Sequence, residues 1–248
     1  MTINLANLMN YWSAAELDAN FIIFLNLAGA MLLGFVVGYE RYYHGRAAGM
    51  RTYGLVCMAS AALVVIAGYP EFWFGARSQY PVNLDPSRTI QGIVTGIGFL
   101  GAGVIMKEGF SISGLTTAAS LWASSAIGIL VGIGFYAAAI LLALLSAACM
   151  IWVSKLELLL PSRPAIAITM RFKDGFVPDE NTLRAIAIKR GYEIATGTIM
   201  ISCQEQKTEW RFVAVALSRK LGVPLSVLSQ ELTKFEGVEY YHLAHARN

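Results

Sequence analysis

Long apolar stretches alternate with short polar ones over the first 160 residues of the chain. No charged residue occurs in 52–70, 89–106 or 109–154. A helix needs about 20 apolar residues to cross the hydrocarbon core of a bilayer, and the last stretch is long enough for two crossings joined by a tight turn. The pattern therefore predicts five membrane-spanning helices, at about 21–39, 52–69, 89–106, 113–131 and 135–153.

The pattern changes after Lys155, and residues 161–248 are predicted to form a separate small domain. Residues 165–172 alternate as a half-buried strand does. Two amphipathic segments, 178–191 and 223–237, predict helices, and 192–203, 208–218 and 238–246 predict further strands. The order βαββαβ is that of a ferredoxin-like fold. The predicted fold class is thus a bundle of five transmembrane helices in 1–160, followed by an α+β domain in 161–248.

Composition agrees with a membrane protein and gives it an orientation. Hydrophobic residues make up 56% of the chain and charged residues 14%, values unusual for a soluble domain. The loop 40–51 carries three arginines, whereas the segment before the first span carries no Lys or Arg. Because short basic loops stay on the cytoplasmic side, we expect a periplasmic N-terminus and a cytoplasmic C-terminal domain. The net charge of +3 comes without a basic block, so no nucleic-acid partner is expected.

A glycine-rich stretch at 96–103, GIGFLGAG, contains the pattern G-x-G-x-x-G. In a dinucleotide-binding turn this pattern follows a strand and precedes an acidic residue by about 20 positions, but here it lies in an uncharged segment without that acid. Small residues four positions apart let helix backbones approach closely in lipid. We therefore predict helix packing at Gly34, Gly38, Gly92, Gly96, Gly98, Gly101, Gly103, Gly128 and Gly132.

Charged and polar residues flank the predicted spans and are candidates for a functional site. They are Glu40 and Arg41 at the end of the first span, Arg51 at the start of the second, and Asp85, Arg88 and Gln91 around the start of the third. Asp85 is placed to cap the third helix, with Pro86 at the first helical position. The helix dipole disfavours Arg88 near that terminus, so we expect it to pair with Asp85 or Glu40. Asp85 is also a candidate partner for Arg51.

Hydroxyl groups follow one face of the fourth predicted span. Thr117, Ser120 and Ser124 occur at i, i+3 and i+7, which places them on the same side of a helix. Such groups either hydrogen-bond to a neighbouring helix, the more frequent role in membrane bundles, or line a polar cavity. Asn26 in the first span allows the same two interpretations.

Five segments, in order along the chain, resemble the MgtC/SapB family: GYER (38–41), AGMRTYGLV (48–56), DPSR (85–88), GIGFLGAGVI (96–105) and GLTTAASLWASSAIG (114–128). The C-terminal domain resembles the ACT-like cytoplasmic domain of longer members. The resemblance makes Glu40, Arg41, Arg51, Asp85, Arg88 and the stretch 96–103 the characteristic positions. It also relates Cys149 to a functionally sensitive cysteine of the fifth span.

The resemblance implies a bacterial inner-membrane protein associated with growth in low magnesium and with survival inside macrophages. We expect a regulator that binds other membrane proteins, with the F-type ATP synthase and P-type magnesium transporters as partners of the family. Membrane lipids and a second copy of the chain, most simply in a dimer, are further expected partners. The alternative is cation binding or transport by a homo-oligomeric bundle through Glu40, Asp85 and the hydroxyl face. With no catalytic motif in the sequence, we expect neither an enzyme nor a cofactor.

Overall fold

The structure is a computed structural model that describes residues 10–46, 48–73, 85–108, 111–160, 163–204, 207–218, 223–235 and 237–246. The chain divides into two compact units, each of which is described separately. One contains Met1–Ile105 and Gly114–Lys155, and the other contains Met106–Ser113 and Leu156–Asn248.

The helical unit follows the predicted order of helices. Its described elements are α1 (Ala14–Tyr43), α2 (Met50–Gly68), α3 (Pro86–Val104), α4 (Leu115–Ile133) and α5 (Tyr136–Ala148), with short 3₁₀ turns at Asn10–Trp12 and Pro70–Phe72. After α5 the chain continues through a π-helical segment, Cys149–Val153, into α6 (Ser154–Leu159). Helix α1 begins at Ala14 rather than near residue 21, because the Ser13 side chain accepts the N–H of Glu16 at 3.3 Å and caps it there.

Four described segments are long and apolar enough to cross a membrane: Ala14–Tyr43, Met50–Gly68, Leu115–Ile133 and Tyr136–Glu157. The third predicted span corresponds to α3, which matches α2 and α4 in length but does not reach the same hydropathy. Arg88 and Gln91 in its first turns, and its high glycine content, account for the difference.

Helix α2 runs antiparallel to α1 and parallel to α4. Gly38 of α1 lies against Met50 at the start of α2. Tyr53, near the start of α2, contacts Ser120 near the start of α4, and Val64 lies against Gly132 near the ends of both helices.

Helix α3 returns in the opposite direction and ends at the beginning of α4. Gly114, which precedes α4, has a φ of +87°, and a side chain there would overlap the carbonyl of Val104, the last residue of α3. Only glycine fits both the positive φ and this close approach. The start of α3 therefore lies at the end of the unit opposite to the end of α1.

The second unit contains a hairpin and an antiparallel sheet. The hairpin, which was not predicted, joins β1 (Met106–Glu108) to β2 (Ser111–Ser113). The other elements are β3 (Ala165–Phe172), α7 (Glu180–Lys189), β4 (Tyr192–Ile194), β5 (Met200–Gln204), β6 (Lys207–Ala216), α8 (Leu225–Thr233) and β7 (Val238–His245). The strand order is β4-β6-β3-β7, with β5 also paired to β6.

The predicted strand at 192–203 is two strands along the same edge of β6. Strand β4 pairs with Ala214–Ala216, and β5 pairs with the other half of β6. A turn separates them, in which Gly197 has a φ of +78° and the N–H of Thr198 bonds to the carbonyl of Ala195. The alternation of apolar residues in the sequence did not reveal this turn.

The core of the C-terminal domain forms on one face of its sheet. Alternate side chains of β3, from Ile166 to Phe172, are buried as the sequence pattern predicts. On the central strand β6, Glu209 receives two arginines: Arg171 Nη2 lies 3.0 Å from its Oε2, and Arg211 Nη2 lies 2.7 Å from its Oε1. The hydrogen bond from Arg211, and to a smaller extent that from Arg171, lowers the pKa of Glu209 below its ordinary value.

Candidate functional site

A buried charge cluster occupies the last turns of α1. Glu40 and Arg41 are 8% and 6% exposed, although they are neighbours in sequence near a helix end. Arg41 Nε lies 3.1 Å from Glu40 Oε2, and its N–H points to Met150 Sδ, also at 3.1 Å. The contact with Glu40 is therefore an ion pair without a hydrogen bond, and Oε2 has no hydrogen-bond donor among the described residues. His44 Nδ1 approaches the other carboxylate oxygen at 3.1 Å.

Next to this cluster, polar side chains form a seam between α2 and α4. Tyr53 Oη and Ser120 Oγ are 2.5 Å apart. One turn further, Cys57 Sγ donates to the carbonyl of Ser124 at 2.9 Å. The hydroxyls of Ser60 and Ser125 follow, also 2.9 Å apart.

The predicted hydroxyl face meets α2 rather than an open cavity. Thr117, Ser120 and Ser124 are all buried. Ser120 also donates to the carbonyl of Thr116 at 2.8 Å, one turn back on its own helix. Asn26 of α1 behaves in the same way, because its Oδ1 accepts from the Tyr136 hydroxyl of α5 at 2.7 Å. The contacts of Ser120 and Asn26 favour hydrogen bonding between helices, whereas the buried Ser124 hydroxyl has no hydrogen-bond partner among the described residues.

Glycines of α1 and α4 contact opposite sides of α2. A Cβ added at Gly34 would lie 2.6 Å from the Tyr53 carbonyl oxygen, and one at Gly38 would lie 2.7 Å from Met50 Cα. On the other side, Gly128 presses against the Cys57 carbonyl, and a Cβ at Gly132 would lie 2.9 Å from the Ala61 carbonyl oxygen. These are contacts between backbones, which only glycine permits.

The glycines of α3 differ from the packing prediction. Among the described residues, a Cβ at Gly92, Gly96, Gly98 or Gly103 would meet nothing within 4 Å, whereas one at Gly101 would lie 3.6 Å from Ala118. Packing against the described part of this chain is therefore wrong for the first four. The four-residue spacing places glycines on faces of α3 but does not determine which face meets another helix.

Asp85 and Arg88 are exposed and far from the buried cluster. Asp85 caps α3 by accepting the N–H of Ser87 at 2.9 Å, and Pro86 begins the helix as predicted. Arg88 Nε lies 4.0 Å from Asp85 Oδ2, and the two side chains are 86% and 57% exposed. The antiparallel course of α2 and α3 puts Asp85 at the opposite end from Arg51 and Glu40. The suggested Asp85–Arg51 and Glu40–Arg88 pairs are therefore wrong.

The remaining predicted positions lie on the surface. Arg51 and Gln91 are exposed. Cys149 is also exposed, at the start of the π-helical segment, and its neighbour Met150 is the residue that contacts Arg41. Among the described residues, no group of three or more His, Cys, Asp or Glu side chains is placed to hold a metal ion.

The site lies within the part of the chain that is similar to known proteins. Residues 27–159, just over half of the chain, match the model of the MgtC family. The chain belongs to the MgtC family. It is similar to Protein MgtC of Brucella abortus (strain 2308), with 47% identity over 108 residues, 44% of this chain and 41% of that protein.

A second relative gives the same extent of similarity. Protein MgtC of Salmonella typhimurium (strain LT2) is 46% identical over 111 residues, 44% of this chain and 43% of that protein. The chain thus spans about two fifths of the length of these relatives. No solved structure matches the chain. With its apolar helices, family membership makes this chain a membrane protein.

Sequence reasoning missed several residues of the site. Tyr53 lies in the family-like segment AGMRTYGLV but carries no charge, and Met150 follows the cysteine that the resemblance marked. Cys57 also carries no charge and lies just after that segment. The useful signal is the spacing in α2. Tyr53, Cys57 and Ser60 are four and three residues apart, which places all three on the face of the helix that meets α4.

Proposed function

We propose that this chain is a bacterial inner-membrane regulator that supports adaptation to low magnesium by docking on other membrane proteins. Membership of the MgtC family supports the physiological setting, including survival inside host cells where the source is a pathogen. The observation that carries the docking mechanism is the exposed glycine face of α3.

Gly92 and Gly96 lie in an open groove of about 550 Å³ between α2 and α3. Apolar side chains form its walls, among them Leu55, Leu63 and Leu100. Helices associate in lipid mainly by close packing, and exposed glycines let a second backbone approach. The glycines and apolar walls of this groove therefore suit a transmembrane helix of a partner.

The interior of the bundle supports the same mechanism. Helix α2 is in backbone contact with α1 at Gly34 and with α4 at Gly128, and the hydroxyls between α2 and α4 bond to one another. These contacts fill the interface where a passage through one chain would otherwise run. The outer surface of α3, with its exposed glycines, remains available for interaction.

We further propose that α3 is a fifth span, so that the N-terminus is periplasmic and the C-terminal domain cytoplasmic. The arginines Arg41, Arg46 and Arg51 around the first loop support this orientation. The C-terminal domain is proposed to be ferredoxin-like, of the ACT-like type. If β4 and β5 are counted as one strand, the domain has four strands. From one edge of the sheet to the other they follow in the order second, third, first and fourth, which supports that assignment. An F-type ATP synthase or a P-type magnesium transporter, and a second copy of the chain, are the proposed partners.

The test replaces Gly96 by Leu and measures growth in low magnesium, membrane abundance and copurification of partners. Because no described residue lies within 4 Å of a Cβ at Gly96, we expect Gly96→Leu to accumulate normally and to lose growth and copurification together. Gly29→Leu is the matched control, since Gly29 of α1 also has open space around it but lies outside the groove. Normal growth of Gly96→Leu would overturn the docking mechanism.

Cation transport by a homo-oligomer is the second candidate, and the buried Glu40 carboxylate favours it. Its Oε2 lacks a hydrogen-bond donor among the described residues, as a carboxylate that exchanges an ion would. Protein in liposomes should then move magnesium or potassium, and Glu40→Gln should stop the flux. An absence of flux from active, growth-supporting protein would leave the regulator as the function.

A further inference from the structure

A cavity of about 320 Å³ lies between the first turns of α1 and the last turns of α2. The antiparallel course of the two helices places it at the opposite end of the bundle from Glu40. Its walls are mainly apolar and include Ile23 and Leu27 of α1 and Val65 and Ile66 of α2. Its volume lies within the usual range of small-molecule sites, about 300–1,000 Å³.

One oxygen of a carboxylate that lines this apolar cavity has no hydrogen-bond partner among the described residues. Glu16 lines the cavity and is only 7% exposed. Its Oε1 is buried and has no hydrogen-bond donor among the described residues. The nearby Asn20 side chain donates to the backbone carbonyl of Glu16, at 2.8 Å, instead of to the carboxylate.

A buried carboxylate oxygen without a donor is costly. The helix dipole favours an acid in the first turn of α1 but supplies no hydrogen bond to Oε1. A donor from outside the described residues is therefore the missing element of the site.

Aromatic rings and local charge select the kind of donor. Tyr69, Phe72 and Trp73 line the cavity, with the Tyr69 and Phe72 ring centroids 6.2 Å apart. The indole N–H of Trp73 bonds to the carbonyl of Ile66 at 3.1 Å, which fixes its ring. Ring faces attract cations. The described residues 10–35 and 59–73 contain three carboxylates and no Lys or Arg, so this end of α1 and α2 is complementary to a positive charge.

We propose that the cavity binds a primary ammonium group carried on a short apolar stem. The ammonium has three N–H donors, and one of them satisfies Oε1 of Glu16. The aromatic rings surround the charge, and the apolar walls contact the stem. Either an aminophospholipid headgroup or a soluble alkylamine presents this chemistry.

The first experiment measures calorimetric binding of hexylammonium to the purified full chain in detergent, with hexanol as the uncharged comparison. We expect hexylammonium to bind and hexanol not to bind. Loss of a charge-assisted hydrogen bond should weaken binding by at least about tenfold in Glu16→Gln. Asp18→Asn is the matched control, since Asp18 is an exposed carboxylate two residues further along α1, and its affinity should match the unsubstituted chain. The unfolding temperature of Glu16→Gln should not fall, because that substitution removes an unsatisfied buried charge.

The second experiment distinguishes the two sources of the ammonium group. Native mass spectrometry would count lipids retained from nanodiscs of phosphatidylethanolamine or of phosphatidylglycerol. Retention of phosphatidylethanolamine, lost in Glu16→Gln and displaced by hexylammonium, would identify a lipid headgroup. Hexylammonium binding without lipid retention would identify a soluble amine.

Three results would overturn the proposal. Equal binding of hexanol would show a merely apolar cavity, and unchanged binding by Glu16→Gln would remove the carboxylate from the site. No binding of hexylammonium to the unsubstituted chain would show that the cavity takes no ammonium group. The site is independent of the docking function, so none of these results depends on the groove at α3.

Discussion

The backbone contact between α2 and α4 at Gly128 makes Gly128→Ala the sharpest test of the helical packing. An added Cβ would lie 2.9 Å from both the Cys57 carbonyl carbon and Ser60 Cβ, and nearer still to the Cys57 carbonyl oxygen. Ordinary contact between carbon atoms occurs at about 3.5–4.0 Å. The two helices must therefore separate by at least about 0.6 Å, a shift that α1 on the other side of α2 resists.

The magnitude follows from three contributions. Overpacking of this kind costs about 1–3 kcal/mol. Separation also weakens the Cys57–Ser124 and Ser60–Ser125 hydrogen bonds, each 2.9 Å long and each worth about 0.6 kcal/mol within a membrane protein. The higher helix propensity of alanine stabilises the variant by up to about 1 kcal/mol and so offsets part of this loss. A net loss of roughly 1–3 kcal/mol in the free energy of unfolding is expected from these contributions.

Gly96→Ala is the matched control, since it makes the same chemical change where a Cβ has open space. It should leave the free energy of unfolding unchanged or raise it by up to about 1 kcal/mol. Titration with SDS, followed by circular dichroism of the purified protein, measures both variants against the unsubstituted chain. Equal stability of the two variants would refute the backbone contact at Gly128.

Three further predictions concern single side chains. Tyr53→Phe removes the bond to Ser120 and should lower the free energy of unfolding by about 0.6–1.7 kcal/mol in the same titration; no change would show that the bond is not formed. Asp85→Asn keeps the cap of α3 and should preserve the unfolding temperature, whereas Asp85→Ala should lower it; a large loss with Asn would restore a role for the charge. The C-terminal domain should lose stability as pH falls through the lowered pKa of Glu209, because only the ionised carboxylate receives both arginines and the unfolded chain takes up its proton at higher pH. Glu209→Gln should flatten this pH dependence in thermal unfolding, and an unchanged curve would contradict it.

Apolar segments were the reliable signal in the sequence. They located α2, α3, α4 and α5 to within a few residues, and α1 apart from its start, but not the short helix α6. The reason is that uncharged stretches of sufficient length have few alternatives to a helix in lipid. Alternation likewise located β3, where every second side chain from Ile166 to Phe172 is buried in the core. The amphipathic segment 178–191 predicted α7, which Asp179 caps.

Contacts between elements were less predictable, because spacing within one helix does not specify its neighbour. Gly96 and Gly128 both belong to four-residue patterns, yet only Gly128 meets another backbone. Charges misled in the same way. Asp85 and Glu40 both flank predicted spans, but the alternating direction of those spans already places the end of the first and the start of the third on opposite sides of the membrane, and the structure agrees. The hairpin at β1 and β2 was hidden because its short strands continue the ends of two apolar segments.

The two groups of glycines have opposite consequences for the isolated chain and for an assembly. Glycine in a helix costs up to about 1 kcal/mol relative to alanine, and at Gly34 or Gly128 the backbone contact with α2 offsets that cost within the chain. Gly92 and Gly96 have no such contact among the described residues, so in the isolated chain they only weaken α3. They also lower the hydropathy of that helix, which makes α3 the least favourable of the proposed spans to expose to lipid. A second transmembrane helix in the groove would offset the first penalty by close packing and would remove the second by covering this face of α3, which is the arrangement that the docking mechanism requires.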